Sequence, residues 1–131
     1  LIEKENLSDL ISIIEFKKDI SKYYAESIAF VNLSLYEGTP NTIIENVVLK
    51  NKVIVSNIAE HYDFLGKDYP FFIDNEGDPL VESKKIIEYL NSPLTEEDYD
   101  FANQKIKTMS ADDVAKQYEV FLEKVYDENS N

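Results

Sequence analysis

The chain has 131 residues, no cysteine and a formal net charge of −13. That length fits a single domain with a real core, yet it is small for an enzyme that grips two substrates. The charge argues against nucleic acid and anionic membrane as partners of this segment, and without cysteine there is neither a disulfide framework nor a thiolate metal site.

Helix and strand signals alternate along the chain, which favours βα units and a parallel sheet. Residues 1–9 are polar and mixed. Leu10-Ile-Ser-Ile-Ile-Glu-Phe16 is rich in β-branched residues and reads as a strand. Asp19 can cap a short helix through Ser27, with Tyr23, Tyr24 and Ile28 at its inner edge. Ile28 to Leu33 is nearly all apolar, so it reads as a second strand at the centre of the sheet. Thr39-Pro40 fits an N-cap followed by proline at the first helical position, opening a helix over 41–50 with Ile43, Ile44, Val47 and Val48 on one face. Val53-Ile-Val55 is a third strand and Phe71-Phe-Ile73 a fourth, after the turn signals Gly66 and Pro70.

The last third turns helical. Asp78-Pro79 followed by Glu82 marks a helix start, running to about Leu90. Asn91-Ser-Pro93 breaks it, and Thr95-Glu-Glu-Asp98 opens another helix reaching about Met109. Ser110-Ala-Asp-Asp113 resembles a capping box for a final helix carrying Val114, Tyr118, Phe121, Leu122 and Val125. The expected architecture is therefore one α/β domain over 1–131. Strand–helix units with about four parallel strands span about 10–75, and a helical end spans about 79–127.

The most informative stretch is Glu37-Gly-Thr-Pro-Asn-Thr-Ile-Ile-Glu45, which follows the apolar run Ile28–Leu33 and leads into a helix. Two carboxylates are held across a strand-to-helix turn shaped by Gly38 and Pro40. A carboxylate can accept two hydrogen bonds from the vicinal hydroxyls of a sugar or ribose, and such charge-assisted bonds are the stronger ones. A helix N-terminus offers free N–H groups and a positive dipole end to a diphosphate, and glycine lets backbone come close to a ligand. Helical side chains lean toward the N-terminus, so Glu45 can point into the crevice at the strand's carboxyl end, where open parallel sheets bind ligands. The same residues also carry a purely structural reading: Thr42-Ile-Ile-Glu45 is a capping box, in which Glu45 serves the backbone.

With its flanks Ser34-Leu-Tyr-Glu-Gly and Lys52-Val-Ile-Val-Ser56, this stretch resembles the E-x7-E signature of the GT-B glycosyltransferases, family 4 (glycosyl transferases group 1). The resemblance covers the later part of the C-terminal donor-binding domain, from about Ile11 onward. It implies a retaining transfer of sugar from a nucleotide-diphosphate donor to a glycan, lipid-linked or other acceptor. Glu45 would bind the ribose, Glu37 would be the catalytic-side carboxylate facing the donor sugar, and the backbone of Gly38, Thr39, Pro40 and Asn41 would line the sugar and phosphate pocket. No metal or other cofactor is expected, since such enzymes work without a bound divalent ion and no Asp-x-Asp motif occurs here. The acceptor would be held by an N-terminal domain, and the cationic residues that face the donor diphosphate in the family lie upstream of the matching region. The segment alone is therefore expected to be inactive. The chain opens on Leu1, so an excised piece is one expectation. No secretory h-region or membrane-length apolar run is visible. A cytoplasmic location is expected, with peripheral attachment at the inner membrane face open for the parent protein, and a homodimer through an incomplete sheet edge is a further option. The competing reading is a non-catalytic α/β regulatory or assembly module, because fold alone does not fix function.

The remaining signals are slight. His61 is the sole histidine, a poor metal site, expected at the surface or a helix end. Where many family members have Gly-Gly, this chain has Ser56-Asn-Ile-Ala59. Lys17, Lys18 and Lys22 read as a solvated helix face. Asp98, Asp100, Asp112 and Asp113 lack the order of a calcium loop. The nine tyrosines are scattered and read as half-buried core edges. Asn6-Leu-Ser8 and Asn32-Leu-Ser34 match the glycosylation sequon, the second inside an apolar strand.

Overall fold

The computed structural model describes residues 2–110 and 112. In chain order the elements are α1 (Ser21–Glu26), β1 (Phe30–Asn32), α2 (Asn41–Val48), β2 (Val53–Ser56), α3 (Ala59–Leu65), β3 (Phe72–Ile73), α4 (Pro79–Asn91), a 3-10 turn (Glu97–Tyr99) and α5 (Asp100–Lys107). The architecture is α/β. Three parallel strands lie in the order β1-β2-β3, with Val31 opposite Ile54 and Val55 opposite Phe72. Helices flank them, as the alternating pattern predicts.

Each strand lies where its sequence can be buried. Val53, Ile54, Val55 and Ser56 have no exposed surface. A continuous apolar run suits a strand covered on both faces and paired on both edges, and β2 is the central strand. In α2, Ile43 and Val47 stand one turn apart and bury against the sheet with Asn46, while Val48 stays exposed. The fully buried Asn46 is satisfied: its Nδ2 donates to the Thr42 carbonyl at 2.8 Å and its Oδ1 accepts from Asn51 Nδ2 at 3.0 Å. The helix closes with a Schellman arrangement. Asn51 N–H donates to the Asn46 carbonyl and Lys50 N–H to that of Val47, with Lys50 itself at φ 58°. Farther on, α5 packs on α2 and α3, and α4 packs on β3.

The helix-start signals of the last third hold. Asp78 accepts from Leu80 N–H at 2.8 Å, with Pro79 at the first helical position. Asp98 Oδ2 accepts from both Thr95 N–H (2.7 Å) and Thr95 Oγ1 (2.9 Å), although the helix proper begins only at Asp100 after the 3-10 turn. At α1, Asp19 Oδ1 accepts from Ser21 N–H, but only Tyr24 of its apolar residues is buried, while Tyr23 and Ile28 face solvent.

Two strand expectations are corrected. Leu10–Phe16 forms no strand: Leu10, Ile13 and Phe16 are 82%, 85% and 93% exposed. A strand exists only when a neighbouring edge accepts its N–H and C=O groups, and β1, the edge strand of the sheet, pairs with β2 alone among the described residues. The sheet therefore has three strands there rather than about four. The segment Ile28–Leu33 is likewise shorter than expected, Phe30–Asn32, and lies at an edge instead of the centre. That position leaves Val31 and Leu33 nearly half exposed. The final helix expected from Ser110 lies, beyond Ser110 and Asp112, outside the described residues.

Candidate functional site

Parallel strands bring the last residues of β1, β2 and β3 to one edge of the sheet, and the polar residues there are wired together. Asn32, the last residue of β1, accepts from Ser34 N–H at 2.9 Å and so closes a tight turn after the strand. Its Nδ2 donates to Glu37 Oε1 at 3.0 Å, and Ser34 Oγ donates to the same oxygen at 2.6 Å. The Ser34 carbonyl accepts from Ser56 Oγ at the end of β2 (2.6 Å) and from Asn75 Nδ2 just past β3 (3.1 Å). One loop is thus tied to all three strand ends. The Ser34 and Asn32 donors, in that order, with a smaller effect from His61, hold the Glu37 carboxyl below its ordinary range. It is an anion at neutral pH.

From Glu37 the chain turns through Gly38, Thr39 and Pro40 into α2. Asn41 N–H donates to the Thr39 carbonyl at 2.8 Å, and the Pro40 carbonyl accepts from Ile43 and Ile44. The helix starts at Asn41 as expected, but proline occupies the cap itself rather than the first helical position after a Thr39 cap. A Cβ on Gly38 would meet nothing within 4 Å. No protein group needs that glycine to be small, and the space above its backbone is open to a ligand.

Glu45 does not fold back as a capping box would require. The start of α2 has no side-chain cap bond, and Glu45 is exposed. It lines a cavity of about 420 Å³ between α2 and the 18–21 segment, together with Lys18, Ser21, Tyr24, Ile44 and Leu49. Tyr24 Oη is buried there beside Glu45. Burial first, and then the Glu45 charge, push its phenol above the ordinary tyrosine range. Glu37 is not among the residues lining this cavity. The structure therefore gives the two carboxylates different surroundings, one clamped at a strand end and one open beside a largely apolar cavity.

His61 keeps the expected helix-end position but not a surface one. It lies in the first turn of α3 with no exposed surface. Nδ1 is 2.8 Å from the Ser56 carbonyl, which fixes the proton on that nitrogen, and Nε2 is buried without a partner. Asn32 and Ser34 were missed as site residues. Their signal was present in the sequence, as an Asn-x-Ser triplet that interrupts an apolar run. The aspartates at 98, 100 and 112 form no metal-binding group among the described residues. No helix there is long and apolar enough to cross a membrane.

The chain is 31% identical, over 138 aligned positions, to an uncharacterized glycosyltransferase of Methanocaldococcus jannaschii; the alignment takes in 97% of this chain and 34% of that protein. The chain thus spans about a third of the length of the curated relative that it matches. The similarity supports a relationship to a glycosyltransferase. No protein-family profile matches the chain, and no solved structure matches it.

Proposed function

We propose that this chain is the nucleotide-sugar-binding C-terminal segment of a retaining glycosyltransferase of the GT-B type, family 4. The observation that carries the reading is the placement of Glu37 and Glu45, eight positions apart across the β1-to-α2 turn, with Glu37 ionised at the sheet's carboxyl edge and Glu45 open to a cavity. The relationship to a glycosyltransferase supports it. In this reading Glu45 accepts the ribose hydroxyls of the donor and Glu37 faces the donor sugar. The backbone of Gly38, Thr39, Pro40 and Asn41 lines the sugar and phosphate site.

An ionised Glu37 has no proton to give, so its part is to orient the sugar and to stabilise positive charge developing at the anomeric carbon. The departing diphosphate would be stabilised by hydrogen-bond donors and cations of the parent enzyme, without a metal. The glycan or lipid-linked acceptor would be bound by an N-terminal domain, and this segment alone would hold donor without transferring it. A cytoplasmic protein, in the parent form at the inner membrane face, accords with that donor, which is a cytoplasmic metabolite class.

The test is an amide-shift titration of this chain with uridine, guanosine and adenosine diphosphates. Shifts in residues 37–45 that vanish in Glu45→Ala support the reading and identify the base. Silence from the folded chain and from the longer parent protein would leave a non-catalytic α/β module instead.

A further inference from the structure

We propose that Asn32 and Ser34 are positioning residues for Glu37, fixing one carboxylate oxygen so that the other is presented to the hydroxyls of the transferred sugar. The sugar part rests on the donor-binding reading above; the positioning part stands on the geometry. Both donors converge on the same oxygen, Oε1, at 3.0 and 2.6 Å. Among the described residues Oε2 has no hydrogen-bond partner, although Glu37 is only partly exposed. A carboxylate held by a single donor can rotate and exchange its oxygens, whereas two donors from different directions define which oxygen faces outward.

The donors are themselves fixed. Asn32 Oδ1 accepts from Ser34 N–H, which orients the amide so that its Nδ2 must be the atom turned to Glu37. The Ser34 backbone is held from β2 by Ser56 and from beyond β3 by Asn75. The clamp is thus anchored to three strand ends, and a rigid support of this kind is what a binding carboxylate needs. Of the two hydroxyl-bearing residues, Ser34 alone touches Glu37, and Ser56 acts one bond farther back.

Three variants of this chain test the assignment: Ser34→Ala, Asn32→Ala and the hydroxyl-restoring Ser34→Thr. Two measurements are made on each. The first is the Glu37 titration midpoint, followed through its side-chain carboxyl carbon by NMR. It should rise toward the ordinary carboxylate value in Ser34→Ala and Asn32→Ala and return in Ser34→Thr. An unchanged midpoint in both alanine variants overturns the proposal, whatever the chain binds. The second is the preference for a nucleotide-diphosphate sugar over the bare nucleotide diphosphate. It should fall roughly tenfold in the alanine variants, the worth of one charge-assisted bond, while affinity for the bare nucleotide holds. If the wild-type chain and its longer parent bind neither ligand, the donor reading fails, and the midpoint measurement still decides the positioning role.

Discussion

Tyr69 and Tyr99 stack nearly parallel, with centroids 5.5 Å apart and 14° between the rings, and their hydroxyls lie 3.2 Å from each other. Tyr69 Oη also donates to the Val53 carbonyl (2.6 Å) and Tyr99 Oη to that of Asn51 (2.5 Å), so the pair ties the loop before β3 and the 3-10 turn before α5 to the start of the central strand. Both rings are almost wholly buried. Burial pushes the Tyr99 phenol up to about 12 from an ordinary value of 10.0, and Tyr69 higher still.

An alkaline limit on stability follows. A folded-state value raised above the unfolded one means that the native state keeps its proton while the unfolded chain has lost it. The contribution is therefore complete below about pH 10 and drains away as pH climbs from 10 toward 12. For Tyr99 alone the loss is on the order of 3 kcal/mol, from a shift of about two units. Urea unfolding followed between pH 8 and 12 checks this. Tyr99→Phe should start less stable by about 1 kcal/mol, for the lost bond to Asn51, and then decline less steeply above pH 10.

Lys52 offers a second test. It is 92% buried by surface, its ammonium donates to the carbonyls of Tyr89 (2.5 Å) and Ser92 at the end of α4, and it sits 5.1 Å from the centre of the Phe71 ring. The Tyr89 carbonyl also accepts from Ser92 N–H at 3.2 Å, and a cation at this end of the helix answers the helix dipole as well. Lys52→Met keeps the stem and removes the donor, so it should cost about 1.5–3 kcal/mol. Lys50→Met, which breaks only an exposed pair with Glu96, should cost less than about 1 kcal/mol. Equal losses in the two variants would contradict the buried role of Lys52.

Gly66 ends α3 at φ 86°, where a side chain is rarely tolerated, and a Cβ there would come within 3.0 Å of the Phe101 ring. Backbone strain and a clash with a neighbouring helix add together. Gly66→Ala is expected to destabilise the fold by about 1–3 kcal/mol, read as a lower denaturant midpoint with an unchanged slope. The same change at Gly38, which meets open space, should leave stability nearly untouched.

What the sequence revealed, and what it hid, divides along the line between local and long-range interactions. Val53–Ser56, the Asp78-Pro79 helix start and the periodic face of α2 were legible because each is decided by residues within one or two turns of itself. Leu10–Phe16 has the composition of a strand as good as any in the chain, but composition cannot supply a partner edge. Ile28–Leu33 was misplaced for a related reason, since the order of strands in a sheet is not written in any one of them. Glu37 and Glu45 were singled out by spacing, while the clamp around Glu37 was not, because Ser56 and Asn75 reach it from 22 and 41 residues away from Ser34. His61 was placed at the surface or a helix end, and its burial was hidden because nothing in Ala59-Glu-His-Tyr-Asp63 marks which side of its short helix meets the sheet.

The segment 10–16 supplies the last prediction. A strand residue buried in a sheet is costly to lose, whereas a side chain standing in water is not. Phe16 and Ile13 are 93% and 85% exposed, and Ile54 has no exposed surface. Phe16→Ser and Ile13→Ser should therefore each change the unfolding free energy of this chain by less than about 0.5 kcal/mol. Ile54→Ala, which opens a cavity in the central strand, should cost about 2–5 kcal/mol. Denaturant unfolding of the three variants against the unaltered chain is sufficient. A loss above 1 kcal/mol in Phe16→Ser would mean that the ring is buried in solution, and that the segment pairs or packs in a way the isolated fold does not contain. The same samples, run by sedimentation, report whether this apolar row draws two chains together, since removing it should then lower the dimer fraction without moving the unfolding midpoint of the monomer.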